Sequence, residues 1–287
     1  LFSILPDSHN DYPPLWYLSI STGYRIAGDT PLVPVVLHGA VLALVLWCFR
    51  RSVTTMLIVG MVCIEYAVMQ FADLPLALTF LLATVAYHQG REDLTGAALG
   101  AGLLIKNEGL IIALDFVSMW MVRERRIPRT ALTSLVGFVV ALWIFRNLMR
   151  FPSDLFTPGA LSRLTDVSRW PVVAGGMLAG VITFGLGAFP LLALFRPRVK
   201  LSVPLLTCVG VLAAYGVIYL ITPHDLGRHI QSSLDRLLLH LWPVVGYEGV
   251  IIGANCNFTY EILTLWFVIM RGEAVVRFEC PPLDDVC

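Results

Sequence analysis

The stretch LLIKNEGL puts Lys106 and Glu108 two positions apart where a long apolar run breaks. A lysine held beside an acid at such a break can grip a phosphate, the acid orienting the ammonium. The second candidate is HDLGRHIQSSLDRLLLHLWP, in which Arg228 and Arg236 lie two helical turns apart, with His229, Ser232 and Ser233 recurring at helical spacing between them. One face carrying those groups suits a lipid-linked phosphate or pyrophosphate at headgroup level. A third stands near the start, in HNDYPPLWYL, where Tyr12-Pro13-Pro14 makes a stiff bend with His9 and Asp11 on its near side. Asp73 in FADLPLAL ends one apolar run and opens the next, and Glu65 and Asp115 fall inside apolar runs, where acids are costly.

Each has a plainer reading. Asp73 with Pro75 fits an N-cap and first turn. Lys106 and Glu108 fit a turn wetted by headgroups, with Gly109 supplying flexibility. The arginine-rich segment fits a solvated amphipathic helix with an internal Asp235 pair, and the buried acids fit protonated groups hydrogen-bonded within a bundle.

Hydrophobic residues make up 57% of the 287-residue chain and charged residues 14%, against about 25% charged in a soluble domain. This predicts an all-α, polytopic transmembrane bundle of about nine or ten spans. The formal net charge is zero, which argues against a nucleic-acid partner. Spans are predicted at 32–49, 53–71, 74–88, 94–105, 109–122, 131–149, 171–195, 203–221 and 236–252, with a weaker one at 258–270. Residues 14–28 mix aromatics with polar groups and predict a short helix lying in the interface. The resulting division is an outer loop and interfacial helix over 1–31, a bundle over 32–252 and an unassigned tail over 253–287.

Basic residues follow alternate spans: Arg50 and Arg51, Arg91, then Arg123, Arg125, Arg126 and Arg129, then Arg196, Arg198 and Lys200. The positive-inside rule makes these connections cytoplasmic. Preserving that alternation requires 94–105 and 109–122 to form a tight hairpin, with Gly96, Gly100 and Gly102 permitting close helix contact. A single helix over 92–122 would instead be about 46 Å long, too long for one crossing. The candidate residues then converge on the opposite, non-cytoplasmic face.

Cys48, Cys63 and Cys208 read as small buried hydrophobes, and Cys256, Cys280 and Cys287 lack metal-ligand spacing. No cofactor is assigned. A carboxylate cluster could hold a divalent ion, but the spacing specifies none. No basic region followed by an apolar core opens the chain, so no signal peptide is read. Asn257-Phe258-Thr259 matches a glycosylation sequon on the cytoplasmic side of this topology, an accidental match. There is no GxSxG, HExxH, P-loop or dinucleotide fingerprint.

Four segments together resemble the GT-C superfamily of integral-membrane glycosyltransferases, especially bacterial relatives of aminoarabinose transferase and protein mannosyltransferase. They are HNDYPPLWYL, ADLPLALTFLLATVAY, GAGLLIKNEG and QSSLDRLLLHLWP, in that order between about residues 9 and 243. The resemblance implies a bacterial inner-membrane enzyme that takes a sugar from a polyprenyl-phosphate donor. The sugar passes to a cell-envelope glycan, lipid or protein on the outer face. It assigns Asp11, with Asp7 and Asp73, to the catalytic carboxylates, and His9, Tyr12, Lys106, Glu108, Arg228, His229 and Arg236 to substrate binding. In this family a transmembrane helix and the principal catalytic acid precede the PPL segment, so the chain is expected to be N-terminally truncated and, as given, inactive if its base lies before Leu1. A secondary transporter and a non-catalytic lipid-binding homologue are the competing readings. The transporter predicts inverted repeats, and no clear repeat is visible.

Overall fold

Apolar runs broken by Gly, Pro and charged turns give helix throughout, and no strand occurs among the described residues. The computed structural model describes residues 13, 15–28, 30–50, 53–68, 72–149, 159–183 and 201–254. The helices are α1 (Leu15–Ala27), α2 (Leu32–Cys48), α3 (Val53–Val68), α4 (Asp73–His88), α5 (Glu92–Ile105), α6 (Glu108–Glu124), α7 (Arg129–Met149), α8 (Ala160–Thr165), α9 (Arg169–Thr183), α10 (Val203–Ile221), α11 (Leu226–Leu239) and α12 (Trp242–Ala254).

The all-α class is as expected from the sequence. Among the described residues two helices are long and apolar enough by themselves to cross a membrane, α7 over Arg129–Asn147 and α10 over Val203–Ile221. Leu32–Cys48, Thr55–Ala67 and Asp73–His88 are shorter apolar helices.

Helix α4 is the centre. Twelve of its 16 residues are buried, the pattern of a helix that is apolar all round. Against it pack α2, α5, α11 and α12. An aromatic stack joins α4 to α6, with Phe80 and Tyr87 edge-on to Phe116 and Tyr87 edge-on to Trp120. Helix α10 buries one stripe, Val203, Thr207, Val211, Tyr215 and Tyr219, at fourfold spacing.

Close glycine contacts exist where the sequence asks for them, but with other partners. A Cβ on Gly96 would stand 2.1 Å from the carbonyl oxygen of Ala131, and one on Gly100 2.2 Å from Phe138. Both glycines therefore seat α7 rather than α6. Gly102 lies under Thr79 of α4, and the α5–α6 hairpin is closed by Gly109, whose Cβ would lie 2.2 Å from the Gly102 carbonyl oxygen. Only glycine lets the second arm come that near the first.

The single span expected over 236–252 is two helices. Helix α11 ends at Leu239 and α12 begins at Trp242. Pro243 has no N–H to bond the Leu239 carbonyl, and its ring would crowd that oxygen in a continuous helix. The chain instead turns through His240 and Leu241, whose amides bond to Leu237 and Leu238. Within the expected loop 150–170, residues 160–165 form α8.

Ion pairs fix which helix ends lie together. Tyr87 Oη donates to Glu124 at 2.8 Å, and Arg126 pairs with both Glu124 and Glu92. His88 meets Glu248 at 2.5 Å, and Ser202 Oγ donates to the other Glu248 oxygen at 2.7 Å. Phe49 packs edge-on to Tyr247. The arginine-bearing connections after α2, α4 and α6 and the start of α10 therefore share one end. Asp73, the α5–α6 turn and His240 share the other.

Candidate functional site

Asp73 does not cap its helix. Ala72 occupies that position without a side-chain bond, and Asp73 is the first helical residue. Its carboxylate turns inward. Oδ1 accepts from Lys106 Nζ at 2.7 Å and from His240 Nε2 at 2.9 Å. Lys106 Nζ also pairs with Glu108 Oε1 at 3.0 Å. The chain reaches this geometry by leaving α5 at Lys106, where the backbone becomes fully extended, and starting α6 at Glu108. Gly109, pressed onto the Gly102 carbonyl, keeps the turn tight.

The cluster is deeply buried. Asp73 is 1% exposed, Lys106 3% and His240 0%. Because a carboxylate only accepts, His240 Nε2 carries the hydrogen, and Nδ1 shares a hydrogen bond with the Tyr215 hydroxyl at 2.9 Å. Lys106, Asp73, His240 and Tyr215 thus form one hydrogen-bonded chain through four segments. Two carboxylates, those of Asp73 and Glu108, face one ammonium. Glu108 Oε2 is enclosed with no hydrogen-bond partner among the described residues. Chemically, the arrangement offers an acceptor oxygen to a hydroxyl or ammonium donor.

Lys106 and Glu108 meet as expected, with Asp73 as a third member 33 positions away in sequence. The plain reading of Lys106 and Glu108 as a wetted turn is set aside by the burial of the lysine.

Helix α11 presents the remaining candidates. Asp225 caps it by accepting from the Arg228 amide at 2.9 Å. Its apolar face, Ile230, Leu234 and Leu238, seats on α9 at Gly176 and Gly180. Arg228 and Asp235 are exposed, while His229 and Arg236 are half-buried. His229 stacks on His224 and stands edge-on to Tyr219. The Tyr219 hydroxyl bonds Ser233 Oγ at 2.9 Å. Helix α11 and the lysine cluster are joined through His240, which follows Leu239 and bonds Asp73. No side-chain contact joins Arg228 to the cluster.

Three arginines missed by sequence reasoning brace this end. Arg146 Nη2 donates to Asn107 Oδ1 at 2.6 Å and steadies the turn between α5 and α6. Arg163 Nε donates to the Ile221 carbonyl at 2.8 Å, and Arg169 Nη2 to those of Tyr219 and Thr222. These close the carbonyl end of α10, where cations are favoured. His240 was missed too. Its signal was a lone histidine in the apolar run LLLHLWP.

Asp7, His9, Asp11 and Tyr12 lie outside the described residues, as do Asn257 and nearly all of 253–287. Of the intramembrane acids expected from sequence, Glu65 is exposed on α3 and Asp115 is half-buried on α6. Cys63 and Cys208 are buried, and Cys48 is partly so. No group of three or more His, Cys, Asp or Glu side chains arranged for a metal ion occurs among the described residues.

Comparison of the chain with family models, curated proteins and solved structures returns no match.

Proposed function

We propose that the chain is a polytopic membrane glycosyltransferase of GT-C type. It transfers a sugar from a polyprenyl-phosphate donor to a cell-envelope acceptor on the face opposite the connections that follow α2, α4 and α6. The observation that carries this reading is the buried Lys106–Asp73–His240 cluster beside the polar face of α11, all at the Asp73 end of α4.

The membrane setting is supported by where the apolar residues sit. Only 17% of the apolar window in α7 is buried, and Trp143 on it is 66% exposed, whereas the core helix of a soluble protein is mostly enclosed. Trp47, Val36 and Leu114 are likewise more than half exposed on other helices. About nine or ten crossings fit the alternation of charged ends.

In this reading the roles divide by geometry. Arg228, His229 and Arg236 meet the donor phosphate at headgroup level, where guanidinium forks bind phosphate oxygens well. Lys106 is held between Asp73 and Glu108, so it offsets developing charge from inside rather than clasping the donor. Glu108 Oε2 and Asp11 are the acids suited to take a proton from the acceptor hydroxyl as it attacks the anomeric carbon. Tyr12, His9 and the proline bend would hold the sugar. Transfer in proteoliposomes from a polyprenyl-phosphate sugar is the test. Arg228→Ala with Arg236→Ala should lower it at least a hundredfold, and Asp73→Asn should do the same. Undiminished transfer in both variants would end the assignment.

One observation favours a second reading. Asp73 and Lys106 satisfy one another, as a purely structural pair does, which suits a non-catalytic homologue that binds polyprenyl phosphate. Binding of the lipid by the wild type without transfer of any sugar would select it.

A further inference from the structure

Asp115 takes no part in the cluster above. It lies near the middle of α6, and its carboxylate rests on Gly210, near the middle of α10; a Cβ on that glycine would meet both oxygens within 2.4 Å. Oδ2 is enclosed and has no hydrogen-bond partner among the described residues, and no ion pair to Asp115 occurs among them. A carboxylate so placed between apolar helices is favoured by a cationic partner.

The surface around it is apolar and open. On α6, Leu114 is 59% and Val122 75% exposed; on α10, Val209 is 61% and Val217 46% exposed. Ala213 is also exposed, and a Cβ at Gly216 would meet nothing within 4 Å. Ala213 and Gly216 are small and uncovered, so a neighbouring backbone can approach α10 closely beside the acid that covers Gly210. Among the described residues no lysine or arginine lies in the middle of an apolar helix, so the described helices of a second copy offer no cation at the depth of Asp115.

We infer that the α6–α10 seam is a docking surface for the transmembrane helix of a partner protein carrying one lysine or arginine at mid-depth, which pairs with Asp115. The inference rests on the membrane reading above but not on glycosyl transfer. The apolar rims supply packing, the small residues supply proximity, and the orphan carboxylate selects the cation.

Two synthetic helices of about 21 leucine and alanine residues, enough to span a bilayer, test it, one with a central lysine and one without. Each is titrated, by energy transfer, into phosphatidylcholine vesicles holding the full chain. The lysine peptide should associate about tenfold more tightly, the scale of one interhelical polar contact in a bilayer. Asp115→Asn should bring the two peptides within twofold of each other, and Gly216→Leu should weaken both. Equal affinities for the wild type overturn the docking, as does Asp115-dependent association of the chain with itself in place of peptide binding. Release of the chain from vesicles by alkaline carbonate would overturn the membrane reading and the docking together. Retention of the chain with equal affinities overturns the docking alone.

Discussion

Replacing Lys106 by methionine keeps the length of the side chain and removes its charge. Asp73, whose side chain is 2% exposed, would then hold its charge with His240 as its remaining side-chain donor, and Glu108 would lose its partner. Breaking a buried pair by deleting one member costs about 3–5 kcal/mol, because the surviving charge is stranded. At roughly 2–4 °C per kcal/mol for a chain of this size class, the midpoint of thermal unfolding in detergent should fall by about 6–20 °C. The control is Lys106→Met combined with Asp73→Asn. An amide strands no charge and can still accept from His240, so the double variant should recover at least half of the loss. A single-variant shift under about 2 °C, or a double variant as unstable as the sum of the two singles, would show that the pair does not act as a buried unit.

Tyr215→Phe should cost about 1–3 kcal/mol in detergent unfolding, since Nδ1 of the enclosed His240 loses its hydrogen-bond partner. An unchanged midpoint would argue against that bond. Gly109→Ala should destabilise by about 2 kcal/mol or more, because the new methyl meets a backbone carbonyl that cannot step aside, whereas Gly39→Ala, with open space around it, should be neutral or slightly stabilising. The comparison is read by thermal unfolding. Gly180→Val should unseat α11 from α9 by displacing Leu234, detected as faster proteolysis between α10 and α11. Ser202→Ala should cost about 1–2 kcal/mol by removing both the N-cap of α10 and a hydrogen bond to Glu248.

The all-helical order was legible because apolar runs and the breaks between them are patterns of one dimension. The limits of α10 match the expected 203–221, and the hairpin at Lys106 falls where the short runs and the intervening charges place it. The partners of Gly96 and Gly100 were not legible. A small residue announces that something comes close, but α7 won the position through the long-range fold. The break at His240 escaped because Leu237 to Val245 is apolar enough to pass for one span, although Pro243 already forbade an unbroken hydrogen-bond ladder. The lysine turn could be read as a site from its own residues. That Asp73 and His240 complete it could not, since nothing local relates positions 73, 106 and 240.

The two histidine–carboxylate contacts of α4 give it the character of an axle pinned at both tips. Asp73 grips His240 just ahead of α12, and His88 grips Glu248 in the middle of it. A helix advances about 100° with each residue. Adding or deleting one residue between 241 and 247 would therefore swing Glu248 by roughly that angle while His240 stayed put. Helix α12 is thus locked in phase with α4, and length changes in this short interval are far less tolerable than substitutions.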